Sequence, residues 1–140
     1  MLYPIGIQSF EKIRTGGFVY VDKTELIYSL AASGQYYFLS RPRRFGKSLL
    51  VSTMEAYFSG RKELFEGLAM ASREKDWVSY PVLHLDLTGA AYLSIDELYS
   101  KFNSFLSKYE ERYEICTDER VASVSFENII DVAYRKTGQK

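Results

Sequence analysis

Residues 36–50 read Tyr-Tyr-Phe-Leu-Ser-Arg-Pro-Arg-Arg-Phe-Gly-Lys-Ser-Leu-Leu, and no other stretch restricts the fold as tightly. An aromatic run, Tyr36 to Leu39, is followed by a short basic segment and then by a helix-forming pattern that carries Leu49, Leu50, Thr53, Met54 and Tyr57. The order suggests strand, tight loop and helix. Gly46-Lys47-Ser48 is the C-terminal half of the phosphate-loop pattern G-x-x-x-x-G-K-[ST], whose first glycine is replaced here by Arg41.

The residue types in that loop suit a phosphate. A helix N-terminus presents unpaired N–H groups and the positive end of the helix dipole. Gly46 allows close backbone approach, because no Cβ intervenes. Lys47 supplies a point charge for the outer phosphates. Ser48 offers a hydroxyl to Mg²⁺, an ion that takes oxygen ligands and keeps several waters. Pro42 stiffens the turn, and Arg41, Arg43 and Arg44 make it strongly cationic. The alternative is a solvated basic turn with no ligand.

Composition sets the class. The 140 residues are 46% hydrophobic and 26% charged, which fits one core-forming domain or part of one. The formal net charge is zero, so the basic loop is a local feature and no global field favours nucleic acid. The single cysteine, Cys116, permits no intramolecular disulfide and reads as a small apolar filler. No basic-then-apolar leader and no membrane-length apolar run is present, so a cytoplasmic location without membrane attachment is expected.

Along the chain, Ser9 or Gln8 opens a short helical turn through Phe10 and Ile13, stopped at Gly16-Gly17. Phe18–Val21 reads as a short extended segment. Asp22 and Glu25 have capping-box spacing, which predicts a helix from Lys23 to about Ala32, with Gly34 as a left-handed cap. The helix after the basic loop runs to about Phe58. Helical turns are expected at Lys62–Phe65 and Ser72–Trp77, with Leu64, Phe65, Leu68 and Trp77 in one cluster over the sheet.

Pro81 to Leu87 reads as a second strand. It ends in Asp86, as a Walker B strand would, but its alternation fits an ordinary strand better, and Asp86 is set aside as an Mg²⁺ ligand. His84 reads as a structural residue. Ser94 and Glu97 form another capping box, opening a long helix with an apolar face from Ile95 to Tyr113 and with Lys101, Lys108, Glu110, Glu111 and Arg112 on its other side. Glu114–Ser123 reads as a loop. Ser125 then caps a last helix, whose stripe is Phe126, Ile129, Ile130, Ala133 and Tyr134.

These elements predict an α/β chain: a three-layer fold like that of the P-loop NTPases, with a parallel sheet that stops before its Walker B strand. Residues 1–140 would be the N-terminal part of one such domain.

The chain resembles the predicted AAA-ATPase-like domains of bacterial proteins. The matching segments are Leu2 to Phe10, Tyr20-Val21-Asp22-Lys23-Thr24, Ser40 to Ser48, and Tyr80-Pro81-Val82. The resemblance implies an ATP-binding module that uses Mg²⁺, with Arg43, Arg44, Phe45, Gly46, Lys47, Ser48 and Leu49 as the phosphate cradle and Ser48 at the metal. It also implies that lack of the first loop glycine is typical of the family. Family members continue with a strand ending in Asp-Glu, and many carry a C-terminal nuclease-like domain. With those acids absent, little hydrolysis is expected from these residues alone. The competing expectation is a non-enzymatic interaction module, whose basic loop docks an acidic partner or a nucleic-acid backbone.

Overall fold

The computed structural model describes residues 2–89, 93–115 and 122–139. Cys116, most of the expected 114–123 loop, and the chain end at Lys140 lie outside them. The elements are α1 (Phe10–Thr15), α2 (Thr24–Ser33), α3 (Lys47–Phe58), a 3-10 turn (Lys62–Phe65), α4 (Ala69–Arg73), α5 (Ile95–Tyr113) and α6 (Ala122–Thr137). The chain divides into two units, Met1–Tyr80 and Pro81–Lys140.

The expected α/β fold is not what forms. Among the described residues there is no strand and no sheet, only an isolated parallel bridge between Leu2 and Phe18. An extended apolar segment becomes a strand when another backbone runs beside it, about 4.8 Å away. Neither expected strand has such a neighbour. In the 36–39 segment, Tyr36 and Phe38 are 93% and 94% exposed. Between them, the Tyr37 hydroxyl donates to Leu30 O at 2.6 Å, tying the segment to the end of α2 rather than to a ladder. The 81–87 segment is likewise held by a side chain, His84 N donating to the Tyr109 hydroxyl of α5 at 2.9 Å.

The first unit is built by helix packing. Phe10, Ile27, Ala56, Leu64, Phe65 and Met70 form its buried core, and Leu49, Leu50, Met54, Tyr57, Leu68 and Trp77 pack against them. The α3 stripe and the expected Leu64–Trp77 cluster are therefore present, but they cover helices, not a sheet. Phe10 and Phe65 meet with ring centroids 4.9 Å apart, within the range favoured for aromatic pairs. Polar bonds fix the crossings. Phe10 N donates to Ser52 Oγ at 3.0 Å, joining α1 to α3. Arg14 donates to Leu64 O at 2.7 Å and to Glu66 O at 2.6 Å, satisfying carbonyls at the end of the 3-10 turn. The turn expected at Ser72–Trp77 forms earlier, as α4. Gly34 is extended at φ −168°, and Tyr37 does the capping expected of it.

In the second unit α5 and α6 pack on each other through Leu106, Tyr113, Ile129 and Ala133, with Leu83, Phe102, Phe105 and Tyr109 at the margin. The predicted capping box is present: Glu97 N donates to Ser94 Oγ at 3.2 Å, and Glu97 Oε2 accepts from Leu93 N at 2.8 Å. At the other end of α5, Lys136 Nζ donates to Tyr113 O at 2.7 Å and to Glu114 at 2.9 Å. Helix α6 is described from Ala122, so Ser125 lies inside it and is buried rather than capping it. Of the expected α6 stripe, Ile129 and Ala133 are buried, while Phe126, Ile130 and Tyr134 are exposed.

Candidate functional site

The loop leading into α3 is shaped by two left-handed residues. Arg44 has φ 67° and Gly46, the N-cap of α3, has φ 74°. A Cβ on Gly46 would meet nothing within 4 Å, so glycine is required there by the backbone conformation and not by crowding. Helix α3 has no side-chain cap, and its first intrahelical bond is Leu50 N to Gly46 O at 2.9 Å. The N–H groups of Lys47, Ser48 and Leu49 precede that bond and point out of the helix end.

The loop is closed by its own charged side chains. Lys47 Nζ donates to Arg41 O at 2.6 Å, and Arg41 Nη1 donates to Phe45 O at 3.4 Å. An ammonium has three protons, so Lys47 keeps two donors for another acceptor. Arg43, Arg44, Phe45, Gly46, Lys47 and Ser48 are all exposed, while Leu49 is half-buried and anchors the helix on the core. Thus the expected cradle residues occur on one accessible loop and helix end, with Leu49 as its anchor. These groups fit an anion: unpaired N–H donors, the positive end of a 12-residue helix, and several cations. A Mg²⁺ held by phosphate oxygens, waters and the Ser48 hydroxyl needs no protein carboxylate cluster, and none of three or more His, Cys, Asp or Glu residues occurs among the described residues.

The Tyr20-Val21-Asp22-Lys23-Thr24 segment proves to be a structural joint. Asp22 Oδ1 accepts from Thr24 N at 2.8 Å and from Thr24 Oγ1 at 2.7 Å. Its Oδ2 accepts from Ala69 N at 2.7 Å, and Thr24 Oγ1 accepts from Met70 N at 3.0 Å. One carboxylate therefore ties the first N–H of α2 to the first N–H of α4, although the N-caps themselves are Lys23 and Leu68. Burial pushes the Asp22 pKa up, but the bonds from Ala69 and Thr24 and the charge of Arg14 outweigh it and hold the group below its ordinary value. Glu25, its expected capping partner, pairs with Arg73 instead. Sequence spacing placed Asp22 as the N-cap of α2; the N-cap is Lys23, and Asp22 reaches the Thr24 N–H from one place before it. The bond to Ala69 uses a main-chain donor with no sequence signature.

Asp86 sits in the second unit, exposed, with Oδ1 accepting from Thr88 N at 2.8 Å. Side-chain and backbone bonds from Thr88, then the charges of His84 and Lys101, lower its pKa. No helix among the described residues is long and apolar enough to cross a membrane.

A family model described as a predicted AAA-ATPase matches residues 4–140. A curated protein of Azotobacter chroococcum mcd 1, described as "Uncharacterized protein in vnfD 5'region", is 39% identical over 139 residues. The match covers 98% of this chain and 27% of that protein, so the chain spans about a quarter of its relative's length. No solved structure matches the chain.

Proposed function

The chain belongs to the predicted AAA-ATPase family, and from that premise we propose that its 41–48 loop binds the phosphates of ATP with Mg²⁺. The observation that carries the reading is the uncapped N-terminus of α3 behind left-handed Gly46, with Lys47 folded over the loop at Arg41 O. Phosphate oxygens would accept from the N–H groups of Lys47, Ser48 and Leu49 and from the free protons of the Lys47 ammonium. Arg43 and Arg44 add positive potential around them, and the Ser48 hydroxyl is the protein's ligand for Mg²⁺. The metal would neutralise charge on the outer phosphates; the loop's part is to hold them. Phe45, 64% exposed, stands beside the cradle as a flat apolar surface.

The test is ATP titration of the protein with Mg²⁺ and with EDTA, for the wild type and Lys47→Ala. Binding that requires Mg²⁺ and weakens in the variant supports the proposal. Because Arg41, Arg43 and Arg44 are exposed cations, a docking role for the loop makes a different prediction. Binding to a polyanion such as heparin would then be salt-sensitive, indifferent to Mg²⁺ and unaffected by ATP.

A further inference from the structure

The second unit contains a cleft of about 410 Å³ between α5 and the segment before it. Its floor is one face of α5: Lys101, Ser104, Phe105, Lys108, Tyr109 and Arg112. Positions 101, 104, 105, 108, 109 and 112 follow the helical repeat, so three cations and two aromatic rings share a stripe about 16 Å long. Asp86 and Thr88 stand on the opposite wall.

Lys108 and Arg112 are one helical turn apart, a like-charge spacing that destabilises a helix by a few tenths of a kcal/mol. Among the described residues no carboxylate lies within ion-pair distance of either. Arg112 instead lies over the Tyr113 ring, 5.9 Å from its centroid. The acid in the cleft, Asp86, accepts from Thr88 N, and the charges that act on it are those of His84 and Lys101, lining residues away from the Lys108–Arg112 pair in the sequence. Among the described residues, the Lys108–Arg112 end therefore offers positive charge with no paired acid, beside the Ser104 hydroxyl. The aromatic part is fixed in place. Tyr109 is held by the bond from His84 N, and its ring lies 4.8 Å from Phe105, tilted by 56°. Both rings are half-buried and line the cleft.

We propose that this cleft binds one phosphorylated, ring-bearing unit, a nucleotide either free or within a single strand, with its phosphate at Lys108 and Arg112 and its base against Phe105 and Tyr109. The volume lies in the range of small-ligand sites. Cations that track a phosphate beside aromatic side chains that stack a base are the working parts of single-strand binding surfaces. The cleft uses none of the residues of the 41–48 loop, so it stands or falls independently of ATP binding there.

The experiment uses the full chain carrying Lys47→Ala, in EDTA, to silence the loop. Two fluorescent probes are titrated by anisotropy: a labelled AMP and a labelled ten-residue oligothymidylate. We expect binding of at least one probe, weakened tenfold or more by Lys108→Glu with Arg112→Glu, and less by the milder pair Lys108→Ala with Arg112→Ala. For the oligonucleotide the salt slope should fall by about 1.4 with two phosphate contacts removed. Unchanged circular dichroism melting of the alanine pair guards against a folding defect. Preference for AMP assigns a free nucleotide, and preference for the oligonucleotide assigns a strand. If neither probe binds, or if both paired variants bind as tightly as their parent, the proposal is wrong.

Discussion

The ammonium of Lys47 lies 2.6 Å from the carbonyl oxygen of Arg41, closing the basic loop from the helix that follows it. Two consequences follow. The lysine is held at the mouth of the helix N-terminus before any ligand arrives, and the loop's backbone is fixed by the same side chain that would bind phosphate. Preorganisation of this kind lowers the ordering cost of binding.

Gly46→Ala tests the loop's backbone. At φ 74° an L-residue is strained by roughly 1–2 kcal/mol, although open space surrounds the position. The variant is expected to lose about that much stability in urea unfolding, and to bind ATP more weakly because the N–H groups of Lys47 and Ser48 are re-aimed. Full stability and unaltered affinity would show that the left-handed cap is dispensable.

Asp22→Ala removes the carboxylate that accepts from the first N–H of α2 and of α4. The loss of N-cap bonds predicts about 1–2 kcal/mol of destabilisation. Asp22→Asn should cost less, since its amide oxygen still accepts one set of bonds. The folded pKa of Asp22 lies below its ordinary value of 3.8, so its ionic contribution is present above that value and lost as pH falls through the lower folded pKa. The stability difference between wild type and Asp22→Asn should accordingly be constant from pH 7 to about pH 5 and shrink below pH 4. A difference that persists unchanged at pH 2 would contradict the ionised cap.

Tyr57 and Glu74 form a second joint, the phenol donating to Oε2 at 2.5 Å. Burial first, then the bond to Glu74 and its charge, push the Tyr57 pKa above the ordinary phenol range, while the same bond lowers that of Glu74. Tyr57→Phe is expected to cost about 1–2 kcal/mol, the size of a hydrogen bond to a charged acceptor that is partly exposed. Because the Tyr57 phenol titrates above the ordinary phenol range, the variant should keep the ordinary limb of the native alkaline absorbance titration and lose only a later one. A variant that lacks a phenol titrating in the ordinary range would overturn this assignment.

The sequence made the helices legible to different degrees. Ser94 with Glu97 and the apolar spacing along α5 located that helix closely, since a capping box and a 3.6-residue period are local properties. The α3 stripe was readable for the same reason. The strands were not. Tyr36-Tyr37-Phe38-Leu39 and Val82 to Leu87 have strand-like composition, yet pairing depends on a second backbone that composition does not specify. In the structure Tyr37 and His84 spend their hydrogen bonds on Leu30 and Tyr109.

The candidate site divides in the same way. Gly46-Lys47-Ser48 was visible as a motif, and its position at a helix start followed from the apolar pattern after it. The Asp22–Ala69 bond was invisible, because its partner is a main-chain N–H 47 residues away. Lys108 and Arg112 were readable only as the polar side of α5. Their place in a cleft beside Phe105 and Tyr109 depends on how the 81–89 segment lies over that helix.

Calorimetric titration with Mg²⁺ and ATP, comparing wild type with Lys47→Ala, tests phosphate binding by the 41–48 loop most directly. Saturable one-site binding is expected, weakened about 10- to 100-fold in the variant by loss of a charge-assisted bond of about 1.5–3 kcal/mol. Equal affinity in the two proteins, or no binding by the wild type, would contradict it.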